Sequence, residues 1–190
     1  MGKREYHYVG PSEYRDSAKS QSPGTTIATL DDLRAWIASA QTDRAQDGTS
    51  LATFAINLDG ELLLAPRRSE HVVCASGGPV LSAGEIGFDD ELAVTEISNQ
   101  STGFCPESES WLTVAHALDR TGIPHPERFT TEVLFRLCPG CGERNIVKDE
   151  WYYCTMCNAE LPQDWNFSPN ANLGEPSDRP ESPTGRFSNG

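Results

Sequence analysis

The hydrophobic positions of this chain fall at two spacings, and each spacing predicts a kind of element. Leu30, Leu33, Trp36, Ile37 and Ala40 recur on one helical face. Thr29, three residues before Asp32, makes a carboxylate variant of the capping box, so an amphipathic helix is expected from there to about Thr42. A second helix is expected from about Pro106, with Trp111, Val114, Ala115 and Leu118 at helical spacing and Gly122 as the residue that ends it. Between the two, short apolar runs bounded by turn residues predict strands at 52–58, 61–65, 71–75, 80–88 and 93–98. Asp59-Gly60 is the hairpin signal between the first pair, and Gly77-Gly78-Pro79 and Asp89-Asp90 mark later turns. The expected fold is therefore α+β: an antiparallel β-meander covered by two helices.

The ends of the chain depart from this pattern. Tyr6 to Val9 fits an edge strand, and the polar run over 17–25 reads as a loop, which together make an N-terminal segment of residues 1–28. The α/β domain is expected over 29–133. Its last part holds a stiff connector at Ile123-Pro-His-Pro126 and a strand over 131–137. Residues 168–190 contain 14 Pro, Gly, Ser or Asn in 23 positions, with only Leu173 and Phe187 as anchors, and are expected to be disordered. Trp165 and Phe167, just before them, are expected to tuck back onto the structure or to serve a docking motif.

The strongest chemical signal lies between domain and tail. Cys138-Pro-Gly-Cys141 and Cys154-Thr-Met-Cys157 are two C-x2-C hooks with 12 residues between them, the spacing that holds one tetrahedral metal ion. Gly142 and Asn158 follow the hooks, and both residue types tolerate a left-handed backbone. Short strands at 144–148 and 151–153 around Asp149-Glu150 would bring the hooks together as a hairpin, so residues 134–167 look like a zinc ribbon. Four thiolates fill a tetrahedron and leave no open position, which points to structural Zn2+. A rubredoxin-like iron site uses the same hooks, and two disulfides are the third option.

Charge narrows the partners. The 190 residues carry a formal charge of -13, and four thiolates with one zinc dication add about two further negative charges. The stretch around the hooks has no basic stripe, so the chain argues against DNA or RNA, whose affinity comes largely from phosphate neutralisation. The polar start Met1 to Tyr8 lacks an apolar export segment, and no run reaches the length of a membrane span, so a cytoplasmic protein is expected. In a reducing compartment, Cys74 and Cys105 then read as free thiols.

Those two thiols are the candidates for catalysis. A thiol enzyme would use Cys105 or Cys74 as nucleophile, His71 as base, and Glu85 or Asn99 as orienter or oxyanion donor. Cys105 stands beside a proline near an expected helix start, where the helix dipole would lower its pKa. Burial as a small hydrophobe is the alternative for Cys74. No phosphate loop, dinucleotide fingerprint or His-Glu-x-x-His helix is present.

The residues from Ser69-Glu-His71 through Ala83-Gly-Glu85 to Ser98-Asn-Gln-Ser-Thr-Gly-Phe-Cys-Pro106, followed by the hooks, resemble a bacterial zinc-ribbon family without a settled activity. The sheet segment also resembles β-rich modules found beside bacterial toxin-like proteins. The resemblance implies a bacterial cytoplasmic protein in an accessory or interaction role, with no catalytic residue to transfer. The expected function is a zinc-binding adaptor that contacts another protein. A thiol-dependent enzyme and a nucleic-acid-binding regulator are the alternatives.

Overall fold

The chain begins with a helix that the hydrophobic pattern hid. In the computed structural model, which describes residues 4–39 and 43–167, α1 (Ser12–Ala18) starts directly after Pro11 and buries only Ala18. One buried side chain leaves no apolar stripe for periodicity to detect. The expected tail, 168–190, and the last turn expected of the first sequence-predicted helix, 40–42, lie outside the described residues. β1 (Thr25–Ile27) follows where the loop was expected to run on, and Tyr6 makes a single bridge to Val80 in place of an edge strand.

α2 (Leu30–Ala38) is capped as its sequence predicts. The Asp32 amide donates to Thr29 Oγ1 at 3.1 Å, and the Asp32 carboxylate accepts the Thr29 amide at 2.9 Å. After β2 (Asp43–Arg44) come β3 (Ser50–Ile56) and β4 (Leu62–Pro66), paired antiparallel with Ile56 opposite Leu62. Their hairpin does turn at Asp59-Gly60, but through three residues: the Gly60 amide donates to Asn57 O at 2.9 Å and Gly60 sits at φ 78°.

The strand expected at 71–75 is instead a helical turn, α3 (His71–Cys74). Its β-branched residues favour a strand, but β4 and the strand β5 (Ser82–Phe88) already occupy the sheet positions beside β3, and the turn lets Val72, Val73 and Cys74 all bury. β5 and β6 (Val94–Ile97) complete the sheet. α4 (Trp111–Thr121) enters through a 3-10 turn at Ser108–Ser110 and ends at Gly122, φ 73°, the left-handed stop that the sequence predicts.

The antiparallel sheet runs β1-β4-β3-β5-β6, with β2 also on β3, so β3 is central and the order is not a simple meander. Every β3 residue is buried, because both faces of the sheet are covered. On one face Phe54, Ile56, Leu64, Ile86 and Phe88 pack under α2 and α4 through Leu33, Trp36, Val114 and Leu118. On the other, Ala55, Ala65 and Ala83 meet Val72 and Cys74 of α3, Ala18 of α1, and Tyr6 and Phe104. The small side chains on this face let short helices approach closely. Two helices therefore cover one face, as expected, and two more cover the other. At Gly84 the approach is closest of all: a Cβ there would stand 1.9 Å from Ser98 O, so only glycine fits.

β7 (Leu134–Leu137) and β8 (Arg144–Val147) form a separate antiparallel pair with Leu137 opposite Arg144. The third strand expected at 151–153 is reduced to one bridge between Tyr153 and Glu160. Buried Asn99 joins this region to the sheet. Its Nδ2 donates to Pro106 O and Val133 O, both at 2.8 Å, and its Oδ1 accepts the Val133 amide at 2.7 Å. Arg144 reaches from β8 to Val9 O and Thr102 O, each at 3.1 Å, and Trp165 Nε1 donates to Cys105 O at 2.8 Å. The pair is thus fastened to the body by side-chain donors as well as by the Phe135 and Phe167 contacts. No helix among the described residues is long and apolar enough to cross a membrane.

Candidate metal centre

Two loops of the same shape carry the cysteines. In the first, the Cys138 amide donates to Glu143 O at 2.8 Å and the Gly142 amide to Cys138 O at 2.9 Å. The second repeats this with the Cys154 amide on Ala159 O at 2.8 Å and the Asn158 amide on Cys154 O at 2.9 Å. Each closes through a left-handed residue, Gly142 at φ 74° and Asn158 at φ 59°, the two positions that the sequence marks for that conformation. A side chain at φ near 70° is strained, and glycine or asparagine bears it most readily.

The loops face each other so that their sulfurs converge. Cys138 Sγ lies 3.5 Å from Cys157 Sγ, Cys141 Sγ lies 3.6 Å from Cys154 Sγ, and all four atoms fall within 4.8 Å of one another. A tetrahedral ion with metal–sulfur bonds of about 2.3 Å requires sulfur–sulfur separations of about 3.8 Å. The cluster therefore fits one such ion, and these four residues could hold it.

Amide donors turn toward the sulfurs. The Gly140 amide stands 3.3 Å from Cys138 Sγ and the Met156 amide 3.4 Å from Cys154 Sγ, placed to stabilise thiolate charge. Burial opposes ionisation of Cys154, but the Cys157 and Met156 amides and the neighbouring Cys141 and Cys138 thiols outweigh it and bring its pKa down to about 6. Cys138 and Cys154 are buried, whereas Cys141 and Cys157 are exposed, so the site sits at the surface with one side closed by Leu161, Val147 and Tyr152.

Asn145 is the site residue that the hook spacing does not reveal. Only 3 % exposed, it donates through Nδ2 to Glu143 O at 2.9 Å and toward Cys154 Sγ at 3.6 Å, and its Oδ1 accepts the Thr155 amide at 3.0 Å. One side chain thus ties β8 to both loops. Its only trace in the sequence is a polar residue inside the expected strand between the hooks.

The residues considered for catalysis are not gathered in this way. Cys74 is fully buried, its Sγ 3.8 Å from Leu63 O, and a Cβ on Gly24 would lie 2.7 Å from that sulfur. Burial pushes its thiol up to about 12. Cys105 is also fully buried, 3.4 Å from Thr102 O, and burial pushes it to about 12 against the milder pull of Arg144. The depressed pKa expected of Cys105 is therefore absent, because the nearest helical turn starts only at Ser108. His71 Nε2 stands 3.1 Å from Gly84 O, and burial brings its pKa down to about 4. Glu85 is exposed and lines a cleft of about 160 Å³ with Arg67, Glu96 and Gln100. Among the described residues, no hydrogen bond or ion pair joins either thiol to His71 or Glu85. Asn99 is committed to the three backbone bonds that hold β7.

Comparison of the chain with family models, with curated proteins and with solved structures finds no match. The four-cysteine cluster agrees with the zinc-ribbon resemblance; its geometry alone carries the functional reading.

Proposed function

We propose that the protein is a zinc-binding accessory protein in which a closed four-thiolate zinc ribbon, residues 134–167, holds a surface for another protein. The observation that supports it is the convergence of Cys138, Cys141, Cys154 and Cys157 within 4.8 Å, from two loops of matching backbone. Four thiolates saturate zinc, so the ion acts as a clasp: its binding energy is spent on folding a hairpin too small to be stable alone. The thiols outside the cluster lie buried with raised pKa values, which favours a binding role over thiol chemistry. A cytoplasmic, reducing setting would keep the six cysteines available as four ligands and two thiols.

The test counts zinc and iron in the purified protein and titrates its thiols before and after denaturation. One zinc and no iron per chain is expected, with Cys74 and Cys105 reacting only once the chain unfolds. Replacing Cys138 with Ser should lower zinc content and lose the near-UV signal of the hairpin, while far-UV strand content largely stays. Iron at one per chain would make the protein an electron carrier, and a Cys138→Ser protein with full zinc would overturn the ligand assignment.

A further inference from the structure

The ribbon presents an aromatic surface that the metal does not use. Tyr152 points inward, packed with Cys138, Cys154 and Leu161 around the sulfurs. Residues on either side of it in an extended segment point the opposite way. Trp151 and Tyr153 accordingly face outward, 65 % and 40 % exposed, with ring centroids 4.9 Å apart. Tyr153 bridges antiparallel to Glu160, which places the exposed Glu160 beside it on the same face. At the near end, exposed Asp149 and Glu150 form the tip of the turn, closed by the Trp151 amide on Lys148 O at 2.9 Å. A tryptophan and a tyrosine in contact, open to water, cost hydration energy with no return within the chain, and these residue types anchor interfaces.

The charge around the pair specifies what fits. From Cys138 to Phe167 the chain has Glu143, Asp149, Glu150, Glu160 and Asp164 against Arg144 and Lys148. Arg136, at the start of the ribbon, is buried and bonded to Pro162 O and Gln163 O, and Arg144 is turned away, bonded to Val9 O and Thr102 O, so Lys148 is the ribbon's one outward cation among the described residues. Four thiolates around a dication add negative charge behind the same surface. Phosphate backbones are repelled by such a field, whereas a lysine or arginine is attracted by the carboxylates and can stack its cation on the indole face.

We propose that Trp151 and Tyr153, with Asp149, Glu150 and Glu160 around them, form the docking site for a lysine- or arginine-bearing segment of a partner protein. This deepens the accessory reading above and rests on it. The aromatic pair supplies desolvated area, and the carboxylates select the sign of the partner's charge.

The zinc-loaded full chain is titrated into a fluorescein-labelled lysine-glycine peptide and followed by anisotropy, with a glutamate-glycine peptide and a short single-stranded DNA in parallel. The lysine peptide alone should bind, and more weakly as salt rises. Trp151→Ala, which leaves the charge unchanged, should weaken binding by roughly tenfold, as should Asp149→Asn with Glu150→Gln. Asp90→Asn with Glu91→Gln, the same charge change on the turn before β6, should alter it by less than about twofold. Equal loss from both charge pairs, an unaffected Trp151→Ala, preference for DNA, or no binding of the lysine peptide would each overturn the docking site. Zinc content is measured on every sample: wild type without zinc defeats the metal reading, whereas zinc-loaded wild type that ignores the peptide defeats the docking surface alone. Should Trp151→Ala lose zinc, Trp151→Leu gives the same comparison with a bulkier side chain retained.

Discussion

His71 is held in the fold without its charge. Burial lowers its pKa from 6.5 to about 4, against the smaller opposing effect of the bond to Gly84 O. As pH falls between those values, the unfolded chain takes up a proton that the folded chain does not, so the folded state loses stability through that window and levels off below it. The full difference amounts to about 3 kcal/mol. Urea midpoints at pH 7.5 and 4.5 should therefore fall further for the wild type than for His71→Gln, whose amide can still reach Gly84 O but cannot titrate. Equal slopes for the two proteins would show that His71 does not sense pH. At this scale the sequence is a partial guide: the four converging cysteines are legible because the chemistry of a tetrahedral metal site demands such spacing. Asn145 is hidden because its importance comes from partners in the second loop, Cys154 Sγ and the Thr155 amide, which only the fold brings beside it.

Elements whose causes are local match their expected places. α2 is one, since Thr29 and Asp32 satisfy its first amides whatever lies around it. Thr29→Ala should cost about 1 kcal/mol in the urea midpoint and leave zinc content unchanged. A change below a few tenths of a kcal/mol would mean that tertiary contacts with Leu33 and Trp36 alone hold the helix. The hairpin at Gly60 and the stop at Gly122 are local in the same sense. By contrast α3 and α1 could not be placed from the pattern. The Val72-Val73 pair has strand character, and α1 shows almost no buried face, so only the sheet surface beneath them decides that they coil.

Across the whole molecule, the segment 134–167, which carries the β7–β8 pair and the cysteine loops, is fixed to the body by a few polar anchors around a small apolar contact. Arg144 spans the junction with two carbonyl acceptors, and Trp165 Nε1 crosses it to donate to Cys105 O at 2.8 Å. Arg144→Ala should lower stability by about 1–2 kcal/mol by leaving Val9 O and Thr102 O without their donor, yet keep one zinc per chain. Faster proteolysis at residues 138–160 with zinc retained would show the ribbon loosened but intact; loss of zinc would show that junction and metal site fold as one unit.

The sequence by itself determined the four cysteines that could hold a metal, the two left-handed loop residues behind them, the capped helix α2, the β3–β4 hairpin and the antiparallel α+β character. Each depends on residues close together in the chain, where spacing and backbone preference act without knowledge of the fold. Tertiary structure alone decided that β3 is central and that helices cover both faces. It also decided that Cys74 and Cys105 are buried, with their bonds directed elsewhere than to His71 or Glu85, and that Asn145 joins the two cysteine loops. These depend on which surfaces meet, and burial, which sets a thiol's pKa and a helix's place, is a property of the assembled chain.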